Sequence, residues 1–204
     1  MALSPLQRLF WPRLREQQHL RRYRQHLLER NVLTRSTPLL SHLDRLPLTL
    51  RPAGRDAERH SLAQALHSVH RIRIVNPLYG GRSLVLRQFC LHWAQERAQL
   101  DQCVPLLVDA APGQGAPADV LLERLGEYGF DADILQLRRG LAGGQLVLLL
   151  DSWEALSAHE QAAWRDWLVG NAERYPAFTA VVITGPGSEP WPLFEDWLID
   201  GWEV

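Results

Sequence analysis

The chain has 204 residues, 46% hydrophobic and 22% charged; this usage is too apolar for disorder, so one α/β domain with an extra N-terminal segment is the starting expectation. All 22 basic residues are arginine, which excludes chemistry that needs a lysine amine, whether a Schiff base or the ammonium of a phosphate-binding loop. The net charge of −1 hides a split: residues 1–100 carry 17 Arg against 6 acids and residues 101–204 carry 5 Arg against 17 acids, so the two halves attract.

Ser4-Pro5-Leu6-Gln7 reads as an N-cap, a proline at the first helical position and a capping-box glutamine. Pro12 forces a kink or restart, after which Leu20, Tyr23, Leu27 and Leu28 make one apolar stripe on an Arg-rich helix ending near Asn31. Residues 33–58, with Pro38, Pro47, Pro52 and Gly54, read as mostly loop with short strand or helix pieces. A short helix is predicted over 61–69, a strand over 71–75, a helix over 83–98 and a buried strand over 104–108. Helices over 118–128 and 132–139, an apolar strand over 145–150 ending at Asp151, a helix over 157–174 and a last strand over 180–184 follow. Strands alternating with helices predict a three-layer α/β/α sandwich on a parallel sheet. The expected organisation is an Arg-rich helical segment over 1–59, a core over 60–187 and a Trp-rich acidic tail over 188–204. Within the tail, Trp191 to Trp202 interleaves aromatics with Glu195, Asp196 and Asp200, which suits a helix packed on its own core or an anchor for a partner.

The run Leu146 to Leu150 is far shorter than the roughly 20 apolar residues that cross a bilayer. Arg8, Arg13 and Arg15 interrupt any signal-peptide core. Cys90 and Cys103 have no CxxC spacing, so neither a disulfide scaffold nor a zinc knuckle is expected. These features lead to the expectation of a cytoplasmic protein with no membrane partner.

The stretch that carries chemistry is the strand over 71–75, the turn Asn76-Pro77-Leu78-Tyr79-Gly80-Gly81-Arg82-Ser83 and the helix after it. A phosphate-binding loop is a strand, GxxxxGK[ST] and a helix whose exposed N–H groups cradle phosphates. Asn76 stands at the first glycine position, Gly80, Gly81 and Ser83 fit, Leu84 follows in the helix, and Arg82 replaces the lysine. Asp151, at the carboxyl end of a buried strand, stands where an acid reaches magnesium together with Ser83, and Glu154 is near enough in sequence to orient a water. Thr184 ends another strand at the same edge and can face a γ-phosphate.

Together these residues resemble the NACHT family, signal-transduction P-loop NTPases of the STAND class, over residues 60–187. Val-Pro-Leu-Leu-Val-Asp at 104–109 is similar to the strand after that family's P-loop helix, and Gly140 to Leu156 to its "grxxLLLDGlDEl" stretch, with Ser152 and Glu154 matching and Ala155 standing where a third acid belongs. Thr184-Gly185-Pro186-Gly187 is similar to the "TSRP" sensor segment with the arginine missing, and the lid and winged-helix segments have no counterpart in the residues after Gly187. The resemblance implies a degenerate core, a pseudo-ATPase working through protein contacts or self-association as a regulatory or assembly subunit, in prokaryotic signalling or defence. ATP or ADP with magnesium is the implied cofactor if one is retained. Losing a charge-assisted phosphate contact weakens binding about ten- to a hundredfold, and hydrolysis, which needs all its groups together, falls further.

Other readings stand beside this one. A working ATPase would use Arg82 for the lysine, Ser83 and Asp151 for magnesium and Glu154 for water. A nucleic-acid adaptor would follow a phosphate backbone with Arg21, Arg22 and Arg24 beside Tyr23, although the acidic half of the chain is the nearer target for such a face. The turn 76–83 also reads as an ordinary strand-to-helix turn, and Asp151 as a cap of the helix over 157–174 or an arginine's partner. His60, His67 and His70 have helical spacing without a nearby carboxylate or cysteine, and Ser188 lacks a nucleophile-elbow sequence.

Overall fold

The apolar runs pair into one six-stranded sheet in the computed structural model, which describes residues 22–25, 27, 48–54, 58–75, 82–95, 103–130, 132–187 and 189–202. The described elements are β1 (Leu48–Pro52), α1 (Leu62–Ser68), β2 (Arg71–Val75), α2 (Arg82–Gln95), β3 (Val104–Asp109), α3 (Pro117–Glu127), α4 (Ile134–Ala142), β4 (Leu146–Asp151), a 3-10 turn (Trp153–Ala155), α5 (Ala158–Arg174), β5 (Thr179–Thr184) and β6 (Glu195–Trp202). Spatial order is β1-β6-β2-β5-β4-β3. All strands run parallel except β1, which is antiparallel to β6, so the sheet is mostly rather than wholly parallel.

Local chemistry starts the helices where the sequence predicts. Ser61 with Gln64, Asp133 with Gln136 and Ser157 with Glu160 each form a reciprocal capping box, so the cap of α5 is Ser157 and not Asp151. Gly144, in the turn between α4 and β4, has φ +64°, and a Cβ there would lie 2.8 Å from the Ala177 carbonyl oxygen. Only glycine fits.

Alternation along the strands sorts the core onto two faces. Ile72, Ile74, Val147, Leu149, Val181 and Ile183 meet α1 and α2 through Leu62, Ala65, Leu84, Leu86 and Phe89. Leu106, Val108, Leu146, Leu148, Leu150, Ala180 and Val182 meet α3, α4 and α5 through Leu121, Leu125, Leu137, Leu141, Trp164 and Leu168. β4 and β5 are buried along their whole length, as expected of central parallel strands covered on both sides.

The tail reverses an expectation. Residues 195–202 form a strand between β1 and β2, not a helix. Trp197 and Ile199 pack on the α1 side while Asp196 and Asp200 bind arginines, a period of two that a helix cannot satisfy. Residues of all three segments expected from the sequence therefore share one sheet.

Attraction between the halves takes concrete form. Arg73 pairs with Asp196, Arg51 and Arg59 with Asp200, and Arg87 with Asp109. In each pair an arginine from the first half meets an acid from the second.

Of the helix expected to end near Asn31, residues 22–25 and 27 are described and helical; the start at Ser4 and the break at Pro12 lie outside the described residues. Tyr23 is fully buried against Trp93, Tyr128 and Phe130, and its hydroxyl donates to the Pro105 carbonyl on the outermost strand β3. The Tyr128 hydroxyl donates to Leu107 O on the same strand at 3.4 Å. Two tyrosines and a proline thus blunt an edge that would otherwise offer bare backbone groups.

Candidate functional site

The sheet brings to one edge the strand ends that carry Asp151 and Thr184 and the strand end that leads into the predicted turn. Val75 pairs with Thr184, Leu150 with Val182, and Asp151 with Asp109, so the carboxyl ends of β2, β5, β4 and β3 lie side by side. From β2 the chain crosses through α2 to β3 on one flank, while from the adjacent β5 it passes to β6 on the other. Neighbouring strands whose connections depart in opposite directions make a topological switch point, where the crevice of an open α/β sheet forms. The six-residue connection after Val75 keeps the start of α2 at this edge.

Asn76, Gly80 and Gly81, with Tyr79, lie outside the described residues. Arg82 opens α2 and Ser83 follows, half-buried. The Leu84 side chain is buried in the core beneath α2, which leaves its backbone N–H as the group able to reach a ligand.

Asp151 is 3% exposed. Its Oδ1 accepts the Ser152 N–H at 2.8 Å, while Oδ2 is buried without a hydrogen-bond partner. Ser152 adopts the left-handed conformation, φ 61°, and turns the chain sharply into Trp153–Ala155; an arrangement that holds such a residue off the preferred backbone regions is often found at working sites. An orphaned buried carboxylate oxygen is costly and suits a magnesium ion, which prefers oxygen ligands.

Glu154 is exposed on that turn and lies over the end of β5: a Cβ on Gly185 would come within 3.0 Å of its Oε1. Thr184 is fully buried. By alternation it falls on the face of Ala180 and Val182, opposite to that of Asp151, so Asp151 and Thr184 approach the crevice from the two sides of the sheet.

Two residues escaped the sequence reading, one at this edge and one in the middle of β2. Asp109 ends β3 in register with Asp151, and its Oδ1 lies 3.6 Å from Arg87 Nη2 on α2. The signal was present in Val-Pro-Leu-Leu-Val-Asp, which has the pattern of Leu-Val-Leu-Leu-Leu-Asp in β4. Arg73, read only as part of an alternating strand, is 1% exposed and grips Asp196 through Nε at 2.6 Å and Nη2 at 2.5 Å.

Other candidate chemistries find little support. The His60 ring packs on Trp197 at 5.8 Å, His67 and His70 are exposed, and among the described residues no three His, Cys, Asp or Glu side chains are placed to hold a metal. Burial pushes the Cys90 thiol up to about 12 and raises Cys103 as well, so neither is a thiolate nucleophile at neutral pH. Of the basic N-terminal face, Arg24 lies over the Trp93 ring at 5.0 Å, Tyr23 is sealed in the core and Arg22 is exposed. No described helix is long and apolar enough to cross a membrane. No protein-family model matches the chain, and no curated protein matches it.

Proposed function

We propose that the chain is a degenerate NACHT-like P-loop core: a three-layer α/β/α pseudo-ATPase that binds nucleotide weakly and acts through protein contacts as a regulatory or assembly subunit. One observation carries the reading. The strand leading into the Asn76–Ser83 turn, the strand ending at Asp151 and the strand ending at Thr184 finish at a single edge, at a topological switch point. Had the turn left from the opposite edge, Asp151 and Ser83 would have no common ligand.

The chain's own groups divide the work. Backbone N–H groups at the start of α2 are the candidates to hold phosphate, Arg82 supplies positive charge in place of lysine, and Ser83 with Asp151 would hold magnesium. Magnesium, when bound, neutralises phosphate charge. Glu154 is left to orient water, without the third acid or the sensor arginine beside it. A signalling or defence setting comes from the family resemblance alone.

Titration calorimetry with ATP and magnesium, paired with phosphate release, tests the proposal. Weak saturable heat, lost in Asp151→Ala and Arg82→Ala, with no phosphate release above buffer is the expected outcome. Phosphate release lost in both variants would instead establish a working ATPase, the reading that the unpartnered Asp151 Oδ2 favours. Absence of any nucleotide heat would overturn the nucleotide site altogether.

A further inference from the structure

Asp109 and Asp151 end neighbouring strands in register. Counting back by two, Asp109 follows Leu107 and Asp151 follows Leu149, both on the sheet face that α2 covers, so the two carboxylates share that face. In-register residues on adjacent strands are about 5 Å apart, near enough for two carboxylates to meet at one ion. Their surroundings are unequal. Asp151 is almost wholly buried and its Oδ2 lacks any donor. The Asp109 side chain is 49% exposed, and its single ion pair among the described residues, to Arg87, spans 3.6 Å, longer than a charge-assisted hydrogen bond.

We propose that Asp109 and Asp151 form a site for a hard divalent cation, magnesium or manganese, and that Arg87 competes with the cation for Asp109. The orphaned Oδ2 is the observation that points to a ligand; a pair of acids would not suffice. Ions of this kind are held by one or two carboxylates with water completing the shell, and the exposed side of Asp109 is where that water enters. Softer metals are disfavoured because the thiol nearest the pair, Cys90, which feels both Arg87 and Asp109, is kept protonated by its burial. Arg87 reaches the pair from α2, so binding of the ion pulls Asp109 away from the guanidinium and links occupancy to the helix that starts at the proposed phosphate turn. The site shares Asp151 with the proposed nucleotide pocket but requires no nucleotide.

Manganese titration of the nucleotide-free full chain, followed by the free-ion electron paramagnetic resonance signal and by magnesium competition, reads the site directly. Wild type is expected to bind one ion saturably, and Asp109→Asn to bind at least tenfold more weakly. Arg87→Gln is expected to bind about tenfold more tightly, because a unit charge about 6 Å from a divalent ion opposes it by that factor even through water. A merely structural arginine would not move affinity in that direction. Both variants alter partly exposed side chains, so they report even if Asp151→Asn fails to fold. Absence of saturable binding in wild type, unchanged affinity in Asp109→Asn, or weaker binding in Arg87→Gln would each overturn the proposal. ATP calorimetry separates the two readings: manganese binding without nucleotide heat defeats only the nucleotide pocket, and nucleotide heat without the Asp109 dependence defeats only the cation pair.

Discussion

Replacing Asp196 by alanine strands a charge. Arg73 lies in the middle of β2 at 1% exposure, with Nε and Nη2 on the two Asp196 oxygens, Nη1 donating to Glu189 O at 2.5 Å and the guanidinium 5.8 Å from the centre of the Trp191 ring. Truncating one partner of a buried pair costs about 3–5 kcal/mol because the other charge stays desolvated. The Asp196 side chain is 25% exposed, so water can reach part of the vacated space and the lower end, about 3 kcal/mol, applies. In a chain of this size each kcal/mol moves the melting temperature by about 2–4 °C, giving a fall of about 6–12 °C. Scanning calorimetry at neutral pH measures it. The double variant Arg73→Met with Asp196→Leu removes both charges and is expected to recover most of the loss, since apolar replacement of a buried pair is often neutral or better. A fall below about 3 °C, or a double variant no more stable than Asp196→Ala, would refute the reasoning.

Other outcomes follow from single contacts. Tyr23→Phe is expected to cost about 1 kcal/mol through the lost hydroxyl bond to Pro105, and Tyr23→Ala about 3–5 kcal/mol through the emptied pocket; urea melts separate the two, and light scattering checks whether the alanine variant also self-associates along β3. The Ser157 hydroxyl, then the Gly113 and Ser157 N–H groups, hold the Glu160 carboxyl down at about 2 against an ordinary value of 4.5. Its stabilisation is therefore complete above about pH 4.5 and disappears as pH falls toward 2, so melting curves of wild type and Glu160→Gln should differ at neutral pH and converge near pH 2. Cys90, with its thiol near 12, should resist iodoacetamide at pH 8 in the folded protein and react on unfolding in urea; rapid native labelling of that residue would contradict its burial.

Legibility varied with how local each signal was. Strand 71–75 follows from an Arg-Ile-Arg-Ile-Val alternation, and β4 and β5 from unbroken apolar runs that need cover on both faces. The start of α5 rests on local chemistry, a capping box complete within four residues. The tail misled because tryptophans among acids satisfy more than one period; only the arginines waiting on β1 and β2 decide for the strand. Asp151 was legible as an acid ending a buried run, whereas Asp109 became a neighbour only through the pairing of β3 with β4, a tertiary fact. The burial of Arg73 likewise depends on β6 placing Asp196 opposite it. The turn at 76–81 carries its pattern in its letters, while its geometry lies outside the described residues.

Among the described strands β1 has β6 as its only neighbour. During synthesis, residues 48–52 therefore emerge from the ribosome long before their pairing strand exists. At about 5–20 residues per second the wait for β6 is roughly 7–30 s. The Leu50–His60 bridge, formed by N–H to carbonyl bonds of 2.8 and 2.9 Å, requires only nearby chain and is suited to shelter part of that segment from nascent neighbours until the sheet closes.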